Sequence, residues 1–235
     1  PEPRSNYAMT INGYGEVVQY LKPSGTPDLT NWQPIDSVGV YTYSAGNTNY
    51  PSRHHIIDTG FNFLDSLSSI NPFNDSLLLD GHEFHLEEDG SMWTLWRHNA
   101  IIDMSEYVPG GNPNALLIGH DIEKWDADGN LVWAWRSHDH IDQIPYTGIT
   151  NPNSLLLPEI EYLHVNSFDL TPDGDVLVSA RRLSCIFNID YETGNVEWIL
   201  GAGPLNQFEF TGDAGEHPLS FTSQHDARML EDGTY

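Results

Sequence analysis

Cysteine is almost missing from this sequence, Cys185 being the only one in 235 residues. A lone thiol excludes an internal disulfide and a zinc site built from several cysteines. Its neighbours from Leu183 to Phe187 read as an apolar strand, which predicts a packed, inert thiol rather than a reactive one. Basic residues are scarce as well. Nine Lys and Arg stand against 34 Asp and Glu, a formal net charge of -25, and a field of that sign repels nucleic acids and anionic lipid surfaces. No run of like charge reaches five residues, so the acidity serves solubility and forms no tail. No apolar stretch approaches the ~18 residues of a membrane span. The chain opens on Pro1-Glu2-Pro3 and stops just after the turn at Asp232-Gly233, so it is expected to be a fragment of a longer protein.

Helical periodicity is weak, and short apolar alternations bounded by turns take its place. The turns fall at Asp89-Gly90, Asp128-Gly129, Asp173-Gly174, Thr193-Gly194 and Asp232-Gly233. Two kinds of hairpin alternate around them. One follows a histidine motif: Gly81-His82-Glu83-Phe84-His85, His164-Val165-Asn166-Ser167, and Gln224-His225-Asp226. The other follows an acidic-aromatic strand, Ile122 to Asp126 or Phe187 to Asp190. Two unlike hairpins make a four-stranded unit, so the expected fold is an all-β propeller of which about four blades are present. One domain spans 1–235. Residues 1–75 hold a first blade with connecting loops, and 76–235 hold the histidine-bearing blades. Within the first part, Ala8 to Tyr20 reads as a hairpin, Val38 to Tyr43 and His54 to Asp58 as strands, and Phe61 to Ser76 as loop.

If each histidine hairpin closes with a two-residue turn, cross-strand partners keep a constant index sum. That places His82 opposite Arg97 and Asn166 opposite Arg181, with His225 at the matching place before Gly233. Directly opposed side chains lie about 5 Å apart at Cβ. Arg97, Arg181 and Arg182 near these motifs then form a cationic pocket in an acidic protein, suited to a small anion. One polar residue on a blade strand is ordinarily structural; a histidine recurring in three hairpins, twice beside an arginine, points to function. His85, three residues from His82, faces the other way on a strand and reads as structural.

The ordered set Asp80-Gly81-His82-Glu83-Phe84, Asp103-Met104-Ser105, Trp135-Arg136-Ser137-His138-Asp139-His140, His164-Val165-Asn166-Ser167, Ser179-Ala180-Arg181 and Gln224-His225-Asp226-Ala227-Arg228 resembles the bacterial arylsulfotransferase family. The resemblance runs from about residue 75 to the end of the chain. It implies a six-bladed propeller, secreted or periplasmic, that moves a sulfuryl group from an aryl sulfate to a phenol without cofactor or metal. It implies that His225 is transiently sulfated, with His82, His164, Asn166 and Arg181 lining the same pocket; the cationic pocket read from the hairpins adds Arg97 and Arg182 as further substrate-binding residues. Sulfuryl transfer resembles phosphoryl transfer, a loose in-line process needing positioned cations and donors. Neutral imidazole is a competent nucleophile near pH 7, and a second histidine can serve the phenol as acid and base. Either His82 or His164 fits that role. A homo-oligomer stays open. Two other classes remain beside this one: a metal-dependent hydrolase using the histidines or the loop His138 to Asp142, and a non-catalytic binding or adhesion propeller.

Overall fold

The computed structural model describes residues 6–22, 28–47, 50–67, 71, 77–144, 151–201, 203–209 and 221–230. Turn residues set its element boundaries. The chain turns through Gly13 and Gly15 between β1 (Ala8–Ile11) and β2 (Val17–Leu21), the hairpin expected there. β3 (Asp28–Ile35), β4 (Val40–Asn47), β5 (Tyr50–Asp58) and β6 (Phe63–Ser66) follow as an antiparallel meander. β4 and β5 cover the two strands expected in this region. β6 corrects the expectation of loop from Phe61 to Ser76. It is an edge strand with no buried position, held by backbone pairing to β5, so no apolar alternation announces it.

A second meander joins β7 (Leu77–Leu86), β8 (Met92–Ile102), β9 (Ala115–Trp125) and β10 (Leu131–Arg136). β11 (Glu159–Glu161) adds to it in parallel, beside Leu116 to Ile118 of β9. A third meander joins β12 (Val165–Leu170), β13 (Val176–Ala180), β14 (Cys185–Ile189) and β15 (Val196–Gly201). The two pairs of unlike hairpins in the sequence are these two sheets. Helix among the described residues is confined to short 3-10 turns. The protein is all-β, built from blade-like four-stranded antiparallel sheets as a propeller fragment requires.

Two compact units divide the chain, residues 1–96 with 122–134 and residues 97–121 with 135–235. In the first, His54 is buried between strands: its Nδ1 lies 2.5 Å from Ser44 Oγ, its Nε2 3.1 Å from the Asp80 carbonyl, and its ring stacks on Phe84. In the second, every position of β13 and β14 is buried. Both faces of these two central strands are therefore covered, which is why they read as near-continuous apolar runs. Trp135 extends this core by packing on Phe187 and donating its indole N–H to the Gly194 carbonyl at 3.1 Å. Cys185 lies inside it. Burial pushes its thiol up to about 12, in keeping with the inert cysteine expected.

The Asp-Gly hairpins close differently from the expectation. Thr171 and Asp175 pair across Pro172-Asp173-Gly174, and Gly174 takes the left-handed conformation (φ 95). This is a three-residue loop, in which glycine supplies the positive φ without a Cβ clash. Glu87 pairs with Ser91, and Asp126 with Asn130, around Gly90 and Gly129 in the same way. In these three hairpins the two-residue turn on which the cross-strand sums rested is replaced by a three-residue loop, while Asp232-Gly233 lies outside the described residues. A bulge between Val165 and Ser167 then shifts β12 once more, leaving Val165 opposite Ala180 and Ser167 opposite Ser179.

Candidate active site

The extra residue of that bulge is Asn166. It does not face Arg181 as expected; instead the Arg181 N–H donates to the His164 carbonyl at 3.1 Å and the Arg182 N–H to that of Leu163 at 2.9 Å. The bulge aims the Asn166 amide along the sheet edge, toward the segment that carries His225. Its Nδ2 donates to the Gln224 carbonyl at 2.9 Å, and its Oδ1 accepts from the Asp226 N–H at 3.2 Å. The contacts continue in step. Ser167 reaches the Ala227 carbonyl, Arg228 reaches the Phe168 carbonyl, and Asp169 accepts from Met229 N–H. Residue for residue, the segment from Asp226 to Met229 runs beside β12.

Gln224 is the anchor of this segment. Its side-chain amide donates to Ser179 Oγ at 3.1 Å and to the Cys185 carbonyl at 2.7 Å, on the central strands of the sheet. Ser223 and Asp226, on either side, adopt left-handed backbone (φ 53 and 61), a conformation that non-glycine residues hold only where the surroundings dictate it. His225 between them is exposed. Its Nδ1 lies 3.2 Å from the Ser223 carbonyl. A carbonyl can only accept, so Nδ1 carries the hydrogen and Nε2 the lone pair of the neutral ring.

His164 also has a left-handed backbone (φ 51). Its ring meets that of His225 edge to face, with centroids 5.9 Å apart. His164 Nδ1 lies 3.0 Å from Glu161 Oε2, and the same oxygen accepts from Arg182 Nε at 3.2 Å. Burial pushes the Glu161 carboxyl up, but the hydrogen bond and charge of His164, with His120 and Arg182, outweigh it and bring the group to about 2. Glu161 is thus a permanent carboxylate that fixes the His164 tautomer. Sequence reasoning passed over it, although its place three residues before His164 was the available signal. His82 lies in the first unit and shows the same arrangement, its Nδ1 lying 2.6 Å from the buried Asp80 carboxylate.

Arg97 and Arg182 line one cavity of about 400 Å³ in the second unit, together with Ile118, Ile160 and Glu161. The loop His138 to Asp142 has separate duties. His138 bonds to the His98 carbonyl at 3.0 Å, while His140 stacks on Trp135 and bonds to Gln143.

The sequence profile of the arylsulfotransferase (ASST) family matches residues 47–234, well over half of the chain. The chain belongs to the arylsulfotransferase family. Membership supports a sulfotransferase-type enzyme with aryl sulfates and phenols as its substrate classes. No curated protein matches this arylsulfotransferase. Among solved structures it is similar to a protein of unknown function from Bacteroides caccae, at 11% identity and a TM-score of 0.36, covering 83% of this chain and 72% of that one. It is also similar to a candidate 6-phosphogluconolactonase from Bacteroides fragilis, at 13% identity and a TM-score of 0.35, covering 82% of this chain and 62% of that one. Among the described residues of the arylsulfotransferase, no helix is long and apolar enough to cross a membrane.

Proposed function

We propose that this arylsulfotransferase moves a sulfuryl group from a phenolic sulfate ester to a phenol by ping-pong exchange, with His225 as the group carried through. The observation that carries the reading is His225 itself: exposed, with Nδ1 tied to a carbonyl, on a segment gripped from both sides by Asn166. In the first half, the Nε2 lone pair attacks sulfur, the S–N bond forms, and the ester S–O bond breaks with its electron pair leaving on the phenol oxygen. A protonated histidine gives that oxygen its proton. In the second half, the acceptor phenol surrenders its proton to the same histidine and attacks sulfur, and the S–N electron pair returns to His225.

Different Nδ1 partners divide the labour. A carboxylate neighbour suits a histidine that must hold a proton, as His164 has in Glu161 and His82 in Asp80. A neutral carbonyl suits one that must attack as the free base, as His225 has in Ser223. Arg181 supplies positive charge for the equatorial oxygens of the transferring group. Asn166 serves chiefly to position His225. Family membership also supports a secreted or periplasmic setting.

The test is to give the full-length protein a chromogenic aryl sulfate with and without a phenol acceptor, comparing wild type with His225→Ala. The expected result is acceptor-dependent release in wild type alone, with an acid-labile sulfated histidine at position 225 when the acceptor is withheld. Equal release from the variant defeats the proposal. Release needing only water points to a hydrolase.

A further inference from the structure

We infer that the cavity beside Arg97 and Arg182 takes the carboxylate and ring of an acidic phenol, making hydroxyaryl carboxylates the preferred substrate class; the inference rests on the reading above. Arg97 and Arg182 are two of only nine basic residues in the chain, and both face this one cavity. Arg97 Nε is buried with no hydrogen-bond partner among the described residues. A buried guanidinium donor without an acceptor is costly, and a bound anion removes the cost. Arg182 is already engaged by Glu161, so the cation left wanting an anion is Arg97.

The walls are part apolar and part acidic, Glu159 and Glu161 lining the cavity beside the two arginines, and they argue against a bare inorganic ion. Ile118 and Ile160 are buried residues of the adjoining parallel strands β9 and β11 and present an apolar floor, while Leu157 stands at the exposed rim. A volume of about 400 Å³ sits at the lower end of small-molecule sites and accommodates a single substituted benzene ring. Apolar floor and orphan guanidinium together describe an aryl group bearing a carboxylate. Through Glu161 the cavity is joined directly to His164. An acid seated there lies one contact from the histidine pair.

Calorimetry without any sulfate donor tests the cavity independently of turnover, using 4-hydroxyphenylacetate, its neutral amide, acetate and inorganic sulfate. Wild type is expected to bind the acid about tenfold or more tighter than the amide, as charge-assisted hydrogen bonds require. Arg97→Gln should bring that ratio to about one. Leu157→Asp, a change at the exposed rim, should weaken the acid and spare the amide. Equal binding of acid and amide by wild type overturns the inference, as does a ratio unmoved in Arg97→Gln, or acetate or sulfate binding as tightly as the acid. The expected binding pattern with no sulfation of either phenol upholds the cavity assignment and defeats the sulfotransferase reading instead.

Discussion

Asn166 holds the peptide on both sides of His225, donating to the Gln224 carbonyl at 2.9 Å and accepting from the Asp226 N–H at 3.2 Å. The two bonds use both ends of one amide, so no side chain lacking either a donor or an acceptor reproduces them. Asn166→Ala leaves a carbonyl and an N–H without their partner and frees the backbone around His225, the proposed nucleophile. Stability should fall by about 1–3 kcal/mol. Turnover should fall by about a hundredfold with a smaller change in KM, because a misplaced nucleophile is a fault of positioning. Asn166→Asp keeps the acceptor, loses the donor and sets a negative charge against the Gln224 carbonyl; it should be as inactive as the alanine variant. Steady-state kinetics and thermal melts of both variants check this.

Glu161 governs His164 in a way that the pH profile can read. With a carboxyl brought to about 2, the residue is charged throughout the working range, and Nδ1 of His164 always donates to it. Glu161→Gln offers an amide that presents either a donor or an acceptor, so the tautomer is no longer fixed. The variant should lose about tenfold or more in turnover and show a shifted acid limb, while Glu161→Asp should recover part of the rate. Nitrogen NMR of labelled histidine in the variant should show a mixture of tautomers at His164. An unchanged profile with a single tautomer contradicts the assignment.

His54 makes the first unit sensitive to acid. Burial is the main cause holding its imidazole down, to about 4 against the ordinary 6.5, with Asp80 pulling the other way. The unfolded chain therefore takes up the proton first. The stability this residue contributes is fully present above pH 6.5 and is lost as the pH falls from there toward 4, by up to about 1.4 kcal/mol per pH unit. Thermal melts across that window should show the loss in wild type. In His54→Gln, which lowers stability at neutral pH, the slope should flatten.

The hairpins were legible in the sequence because Asp-Gly and Thr-Gly turns need particular backbone conformations, and those needs are written in residue type. Their register was not. Pro172-Asp173-Gly174 closes as a three-residue loop, and one extra residue shifts every partner beyond it. The bulge at Asn166 leaves no mark on local composition, since any polar residue reads the same in a strand or beside one. The histidine motifs at His82, His164 and His225 were visible through recurrence. Glu161 acts through a contact to His164, three residues on, which a strand alternation would assign to the opposite face and which the left-handed turn at His164 brings together, whereas Asp80 and His82, two apart on β7, share a face. β6 was hidden for a different reason, being an exposed edge strand without an apolar face.

The segment from Gln224 to Met229 meets β12 largely through side chains, those of Asn166, Ser167, Asp169 and Arg228. A main-chain ladder is indifferent to sequence, whereas a seam of this kind can be rewritten one residue at a time. The proposed nucleophile and the framework that carries it are consequently separable under substitution. Substitutions along the seam should therefore alter the chemistry proposed for His225 while the sheets keep their fold.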